Sequence, residues 1–323
     1  MSAQDIILKS KITLSRNVKG YQFPSRLRDT RANIIANGVY EAVAANGGYD
    51  LYKMAQISDV KSRRLREDGL ISDRLLASPY GSVIVSDDKS VAVMINEEDN
   101  VVEQCFSKGL SLEEAYSVID AIDDKIAGKQ EFCFHPKLGY LTSCPDSVGT
   151  GMHASVTLFL PALTLSKSLE QCIAAVSRLN VSLKSVYDEN IEAYLYTVTN
   201  QDTLGVTEKE IIDLVTTAAN HLAEAEERAR KMLKISSEAE VRDKSMRSMG
   251  ILKNAYKISA AEMLQLITWA KIGAYYGFIA PDCDKMDELA EKLLPAAVSE
   301  AVGDSGTDPD PDIYRAEILR KSL

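Results

Sequence analysis

Ser82-Val83-Ile84-Val85-Ser86-Asp87-Asp88-Lys89-Ser90-Val91-Ala92-Val93-Met94-Ile95 is the stretch on which the fold turns. Two β-branched runs flank the turn-forming Asp87-Asp88-Lys89, so the segment reads as a β-hairpin. Strand character recurs before it, over residues 6–8 and 12–14, and after it, over 155–159 and 194–198. Helices between the strands are marked by capping boxes, where a Ser or Thr and a Glu or Gln three residues on satisfy two free N–H groups. Ser111 with Glu114, Ser168 with Gln171 and Thr207 with Glu210 are such pairs. The last opens a long helix with Ile211, Leu214, Val215, Ala218 and Leu222 on one stripe. Its charged end, residues 224–234, is expected to leave the sheet region.

Beyond about Glu238 the pattern is almost entirely helical. Ser259 with Glu262 caps a segment ending near Gly273, and a further helix is expected over 284–302. Residues 303–311 form an acidic Gly- and Pro-containing loop, and a short amphipathic end follows over 313–323. The pattern predicts an α/β domain over 1–235 and a helical domain over 236–323. The helices around Leu264 and Leu293 suit either an oligomer interface or an internal core.

The net charge of −10 argues against non-specific binding to nucleic acid or an anionic membrane, which need a basic face. The basic run Lys61-Ser62-Arg63-Arg64-Leu65-Arg66 is followed by Glu67 and Asp68, and reads as a solvated helix face. No apolar run approaches the roughly 20 residues of a membrane span. The first residues lack the basic and apolar regions of a signal peptide, so a cytoplasmic protein is expected. Cys105, Cys133, Cys144, Cys172 and Cys283 form no CxxC pair, and His135, His153 and His221 are far apart. Free thiols are expected, and no metal site.

Four strings go further. They are Asn96-Glu97-Glu98-Asp99, the loop Gly139-Tyr140-Leu141-Thr142-Ser143-Cys144-Pro145-Asp146-Ser147-Val148-Gly149-Thr150-Gly151, Thr199-Asn200-Gln201 with Leu204-Gly205, and Gly250-Ile251-Leu252-Lys253-Asn254-Ala255-Tyr256-Lys257. In this order they closely resemble the guanidino kinases, the ATP:guanido phosphotransferases, and above all the bacterial protein-arginine kinases. The resemblance runs from about Ile6 to the C-terminus. It implies an α+β fold, an antiparallel β-sheet flanked by helices, followed by an all-helical C-terminal domain. It also implies phosphoryl transfer from Mg·ATP to a guanidinium, a reaction that rests on positioning and charge neutralisation.

By that resemblance Glu98 and Glu189, the latter in Tyr187-Asp188-Glu189, match the carboxylates that grip the guanidinium, and Cys144 matches the cysteine that orients it. Each has an ordinary alternative: a strand-end carboxylate, a solvated one and a small buried side chain. The phosphate side departs from the family pattern. Five positions that call for arginine are Lys11, Thr13, Val102, His153 and Lys184 here. Lysine keeps charge without the planar fork, and valine and threonine supply none. Near the C-terminus, a family string for phosphoarginine recognition between subunits retains Asp312, Arg315 and Ala316, but its first arginine is Pro311.

The resemblance and its departures imply a pseudokinase, a binding or adaptor protein with a guanidinium-side pocket and no cofactor. The implied partners are a Clp-type unfoldase, a zinc-finger activator, an active kinase paralogue or arginine-bearing client proteins, with a homo-oligomer as the assembly. The alternative is an active Mg·ATP-dependent protein-arginine kinase in which Lys11, Lys184 and His153 rebuild a phosphate clamp. A third is a structural homo-oligomer with a vestigial site.

Overall fold

Alternation of side chains along one central strand, β1 (Ile7–Arg16), sets the two faces of the molecule. Ile12 and Leu14 are fully buried on one side, while Lys9, Lys11 and Thr13 point to the other. The computed structural model describes residues 5–27, 29–188, 190–280, 282–303 and 310–323. After β1 come α1 (Asp29–Val43), β2 (Tyr49–Lys53), α2 (Asp59–Glu67), α3 (Asp73–Leu76), β3 (Ser82–Ser86), β4 (Val91–Ile95) and β5 (Val101–Lys108). Then follow α4 (Leu112–Ala127), the small hairpin β6 (Phe134–His135) and β7 (Gly139–Tyr140), β8 (Met152–Phe159), α5 (Pro161–Leu165) and α6 (Leu169–Ser177). The chain continues through β9 (Val181–Ser185), β10 (Leu195–Asn200), α7 (Glu208–Asn254), α8 (Ala260–Tyr275), α9 (Cys283–Lys292), α10 (Pro295–Val302) and α11 (Pro311–Ser322).

Eight strands form one antiparallel sheet in the order β2-β3-β4-β5-β1-β8-β10-β9. The expected hairpin is β3–β4, and the two short stretches expected at the N-terminus are one continuous strand, β1. One face is covered by helices whose apolar residues recur at helical spacing: Ile35 and Val39 of α1, Ala115, Ile119 and Ile122 of α4, and Ile211, Val215, Ala218 and Leu222 of α7. The opposite face is half covered. Leu65, Leu70, Ile71 and Leu75, from α2 and α3 and the turn between them, seal it over β3, β4 and β5 against Val83, Val85, Met94 and Val102. Over β1, β8, β10 and β9 the middle of that face is polar, and Phe159 and Leu195 at its end pack against the helical region.

Thr207 makes the capping box with Glu210, and Ser259 accepts from the Glu262 N–H as expected. Ser111 and Ser168 make no such cap. The Ser111 hydroxyl is turned back to donate to the Lys108 carbonyl, 3.2 Å, a local side-chain-to-backbone bond that serine readily makes. The helix expected over 284–302 is two helices, because Pro295 cannot donate and begins α10 at its first position. α7 spans 47 residues and breaks at Ser237, where φ −145° and ψ 32° leave the helical region beside Ser236. Past that break a second apolar cluster forms from Leu252, Met263, Leu264, Ile267, Met286, Leu293 and Leu319, so Leu264 and Leu293 are internal core. Phe159, Leu233, Val241 and Trp269 join it to the sheet.

The basic run at 61–66 is not simply solvated. It lies on α2, where Lys61 and Arg64 pair with Glu300 of α10, and Glu67 accepts from the Ala296 and Ala297 N–H groups at 2.7 and 3.0 Å. A carboxylate at a helix N-terminus satisfies free donors and complements the helix dipole. Among the described residues no helix is long and apolar enough to cross a membrane.

Candidate guanidinium site and the open sheet face

Asn96 turns the chain after β4 with φ 59°, a left-handed conformation that asparagine tolerates, and the Asn96 N–H bonds the Asn100 carbonyl across the turn. The turn is tied to β1 by Asn17, which donates to Asp99 at 2.6 Å and accepts from the Asn100 N–H at 2.9 Å. Asp99 also accepts from the Ser143 N–H at 2.6 Å, and so pins the 141–144 loop against the turn. Burial raises the Asp99 pKa, opposed by the bonds from Ser143 and Asn17, with the Glu98 charge adding to the rise. Thr142 then fixes the Cys144 carbonyl at 2.7 Å.

Through this node Glu98 and Cys144 come to one place. Glu98 is 37 % exposed and ion-paired with Arg74 of α3, and its hydrogen bond and charge, with Glu97 nearby, raise the pKa of that guanidinium. Ser72, the N-cap of α3, donates to Glu97 at 2.5 Å. Glu189 lies outside the described residues.

The loop 139–151 is held by a buried cation. Arg16 is 3 % exposed; it pairs with Asp123 of α4 at 3.0 Å, donates to the Thr150 carbonyl at 2.9 Å, and stacks 3.6 Å over Tyr140. Gly149, at φ 120°, lies so close to Thr203 that a Cβ would meet the Thr203 carbonyl oxygen at 2.1 Å. Beneath Arg16, Glu103 is wholly buried, and the side chain it faces is the Asp123 carboxyl. Burial first, then the Asp123 charge, raise its pKa well above the ordinary value, with Arg16 opposing.

A raised acid pKa makes the folded state the better proton binder. That stability is complete below the unfolded glutamate pKa, near 4.3, and is lost as pH rises through the folded value. Glu103→Gln is therefore expected to match the parent in melting temperature at acid pH and to exceed it increasingly as pH rises. Parallel melting curves across pH 4 to 9 would contradict this.

Strand register places the other positions on the open face, since directly paired residues share a face. Thr13 lies between Gln104 and His153, and Lys11 between Phe106 and Ser155. Lys184 joins a row that runs through Thr197 and Thr157 to Lys9 and Lys108, but on exposed edge strand β9, about 14 Å from β1 at ordinary strand spacing. Lys11 is half-buried, and burial, with the nearby Lys9 charge, lowers its pKa. Burial likewise lowers Lys9, offset by Glu291 and Asp68. His153, bonded to the Ser147 hydroxyl at 3.1 Å, is lowered mainly by burial and is therefore neutral near pH 7. Val102 is 6 % exposed, inside the apolar cluster beneath α2 and α3. Among the described residues no group of three His, Cys, Asp or Glu could hold a metal ion.

The C-terminal pair lies elsewhere. Arg315 is 2 % exposed and donates to the Leu293 carbonyl at 2.8 Å, the Ile258 carbonyl at 2.9 Å and Asp312 at 2.6 Å. Its guanidinium joins α11, the turn between α9 and α10, and the start of α8 from within.

Sequence reasoning did not single out Arg74, Asp99, Asn17 or Lys9. Asp99 stands inside a quoted motif, whereas nothing local marks Arg74.

A family model described as "ATP:guanido phosphotransferase, C-terminal catalytic domain" matches residues 32–229, and one described as "Protein-arginine kinase McsB C-terminal domain" matches 238–323. The chain is 36 % identical to a protein-arginine kinase of Halothermothrix orenii over 99 % of its own length and 93 % of the relative's. It is 32 % identical to one from Caldanaerobacter subterraneus subsp. tengcongensis, covering 99 % and 97 %. Among solved structures, a lombricine kinase superposes with TM-score 0.61 at 19 % identity, covering 69 % of this chain and 67 % of the other. The duplicated taurocyamine kinase of Schistosoma mansoni superposes with TM-score 0.64 at 17 % identity, covering 93 % of this chain and 47 % of the other. These two likenesses bear on the fold alone.

Proposed function

The chain belongs to the protein-arginine kinase family of ATP:guanido phosphotransferases, and from that premise we propose that it binds arginine side chains of proteins at the Glu98–Cys144 turn while its phosphate clamp is too weak for useful phosphoryl transfer. The observation that carries this reading is the chemistry of the open sheet face. Where the family pattern calls for arginine, Val102 is enclosed among apolar side chains, Thr13 is neutral and burial keeps His153 neutral. Lys184 stands on the edge strand, and Lys11 has a depressed pKa. A charge-assisted hydrogen bond contributes about 1.5–3 kcal/mol, and loss of one aimed transition-state donor costs about 10²–10³ in rate. Even with strong non-additivity these losses remove most of the catalysis. This donor set does not fit the charge of a magnesium triphosphate.

The second reading is an active ATP-dependent protein-arginine kinase with a lysine-based clamp. It is favoured by the relatives, which carry the name protein-arginine kinase at 32–36 % identity along 99 % of the chain. Those names support it more directly than they support impairment. In this reading Lys9 would join Lys11, since both lie on the open face two residues apart.

The division near residue 235 and the homo-oligomer are part of this proposal. Met232, Ile235 and Met246 are exposed on α7 and suit a contact between copies. The partners implied by the resemblance, an unfoldase, a zinc-finger activator, an active paralogue or arginine-bearing clients, are carried with it as proposals.

Glu98→Ala, compared in an Arg74→Ala background where no internal guanidinium occupies the carboxylate, is expected to weaken calorimetric binding of an arginine-containing peptide about tenfold, since a charged hydrogen bond is lost. Unchanged affinity would sink arginine binding at this turn. Phosphoarginine formed on a test protein, and lost in Glu98→Gln, would establish the second reading instead.

A further inference from the structure

The carboxylate read as the guanidinium seat already holds a guanidinium from its own chain. Arg74 reaches from α3 to Glu98, and among the described residues it is the ion-pair partner of that carboxylate. The pair is accessible, with Arg74 59 % and Glu98 37 % exposed, so an incoming arginine can reach the same oxygens.

The platform under Arg74 is rigid. Leu75, the next residue, is fully buried against the apolar side chains of β3, β4 and β5. Ser72 accepts from the Leu75 N–H at 3.0 Å and donates to Glu97, so the cap of α3 is bonded directly to the turn that bears Glu98. The other end of the segment is fixed as well. α2 is fastened to α10 through Glu67 and the Ala296 and Ala297 N–H groups, and by Lys61 and Arg64 to Glu300. Arg74 therefore stands at a set distance from Glu98, on an arm held by both the sheet and the helical region.

We propose that Arg74 is a tethered competitor that occupies the Glu98 seat and sets the affinity and selectivity for incoming arginine side chains. The inference rests on the reading of Glu98 as a guanidinium-binding carboxylate. It adds that any external arginine must first displace Arg74. Both groups are the same planar fork, so displacement exchanges one guanidinium–carboxylate pair for another and leaves no charge unpaired in the seat. The tether gives Arg74 a high effective concentration, while its solvent exposure keeps each contact weak. An arginine that brings further contacts, as one within a protein segment does, displaces Arg74 more readily than free arginine.

The test is calorimetric titration of the full chain and of its Arg74→Ala, Arg74→Lys and Glu98→Ala variants, and of Arg74→Ala combined with Glu98→Ala, with one arginine-containing peptide. Arg74 is exposed and Leu75 anchors the helix, so Arg74→Ala leaves the core intact, which a melting curve checks. Arg74→Ala is expected to bind the peptide roughly two- to fivefold more tightly, the range an exposed ion pair supports. Arg74→Lys should fall between, because ammonium keeps the charge without the fork. Binding seen only in Arg74→Ala supports the proposal equally. Unchanged or weaker binding in Arg74→Ala, with Glu98→Ala still defective, overturns the competitor and leaves the Glu98 reading standing. Equal binding by Arg74→Ala with and without Glu98→Ala, or no binding by any variant, overturns both.

Discussion

Arg16→Ala is expected to cost about 3–5 kcal/mol of folding stability, the range for removing one partner of a buried ion pair. Arg16 is 3 % exposed and its Asp123 partner 10 % exposed, so water cannot replace the lost contact. The substitution leaves the buried Asp123 and Glu103 carboxyl groups facing each other without the Arg16 charge that opposes their repulsion. It also frees the Thr150 carbonyl and removes the stack on Tyr140, both of which hold the 139–151 loop. Arg16→Met with Asp123→Asn should recover part of the loss, because the uncompensated charge is then gone. Urea unfolding of the three proteins measures this. A loss below about 1 kcal/mol would show that Arg16 is not the anchor described.

Arg315→Ala is expected to destabilise the helical region by about 3 kcal/mol. Three acceptors lose a buried donor at once: the Leu293 carbonyl between α9 and α10, the Ile258 carbonyl before α8, and Asp312 on α11. The effect should be regional, since a separate apolar cluster holds these helices together. Hydrogen exchange should quicken over α8 to α11 while the central strands β1 and β8 keep their protection. Undiminished protection over α8 to α11 would contradict it. So would a variant of parental stability that fails to assemble, which would place Arg315 at a subunit contact.

The fold was legible where local chemistry decides it. The β3–β4 hairpin, the Thr207 capping box and the Ser259 cap follow from residues within a few positions of one another. Ser111 misled because its hydroxyl is turned back to donate to the Lys108 carbonyl, away from the helix N–H groups it would accept from, and spacing does not reveal that orientation. The 61–66 run looked solvated because its partners on α10 lie more than two hundred residues away.

The site divides in the same way. Glu98 and Cys144 could be named from motif strings, and their neighbours Asp99 and Ser143 are hydrogen-bonded to each other. Val102 was recognisable as a missing cation, but its enclosure under α2 and α3 depends on Leu65 and Leu75 folding over the sheet. Lys9 was passed over because sequence alone does not give strand register; the row from Lys184 to Lys108 exists only once five strands are paired. Arg74 carries no sequence signal, since an arginine on a four-residue helix has many exposed fates.

The central claim is that the open sheet face no longer binds a triphosphate well. Calorimetric titration of the purified chain with Mg·ATP and Mg·ADP tests it most directly. The expected result is no heat of binding at millimolar nucleotide. Micromolar binding would contradict the claim and show that Lys9, Lys11, His153 and Lys184 form a working phosphate site.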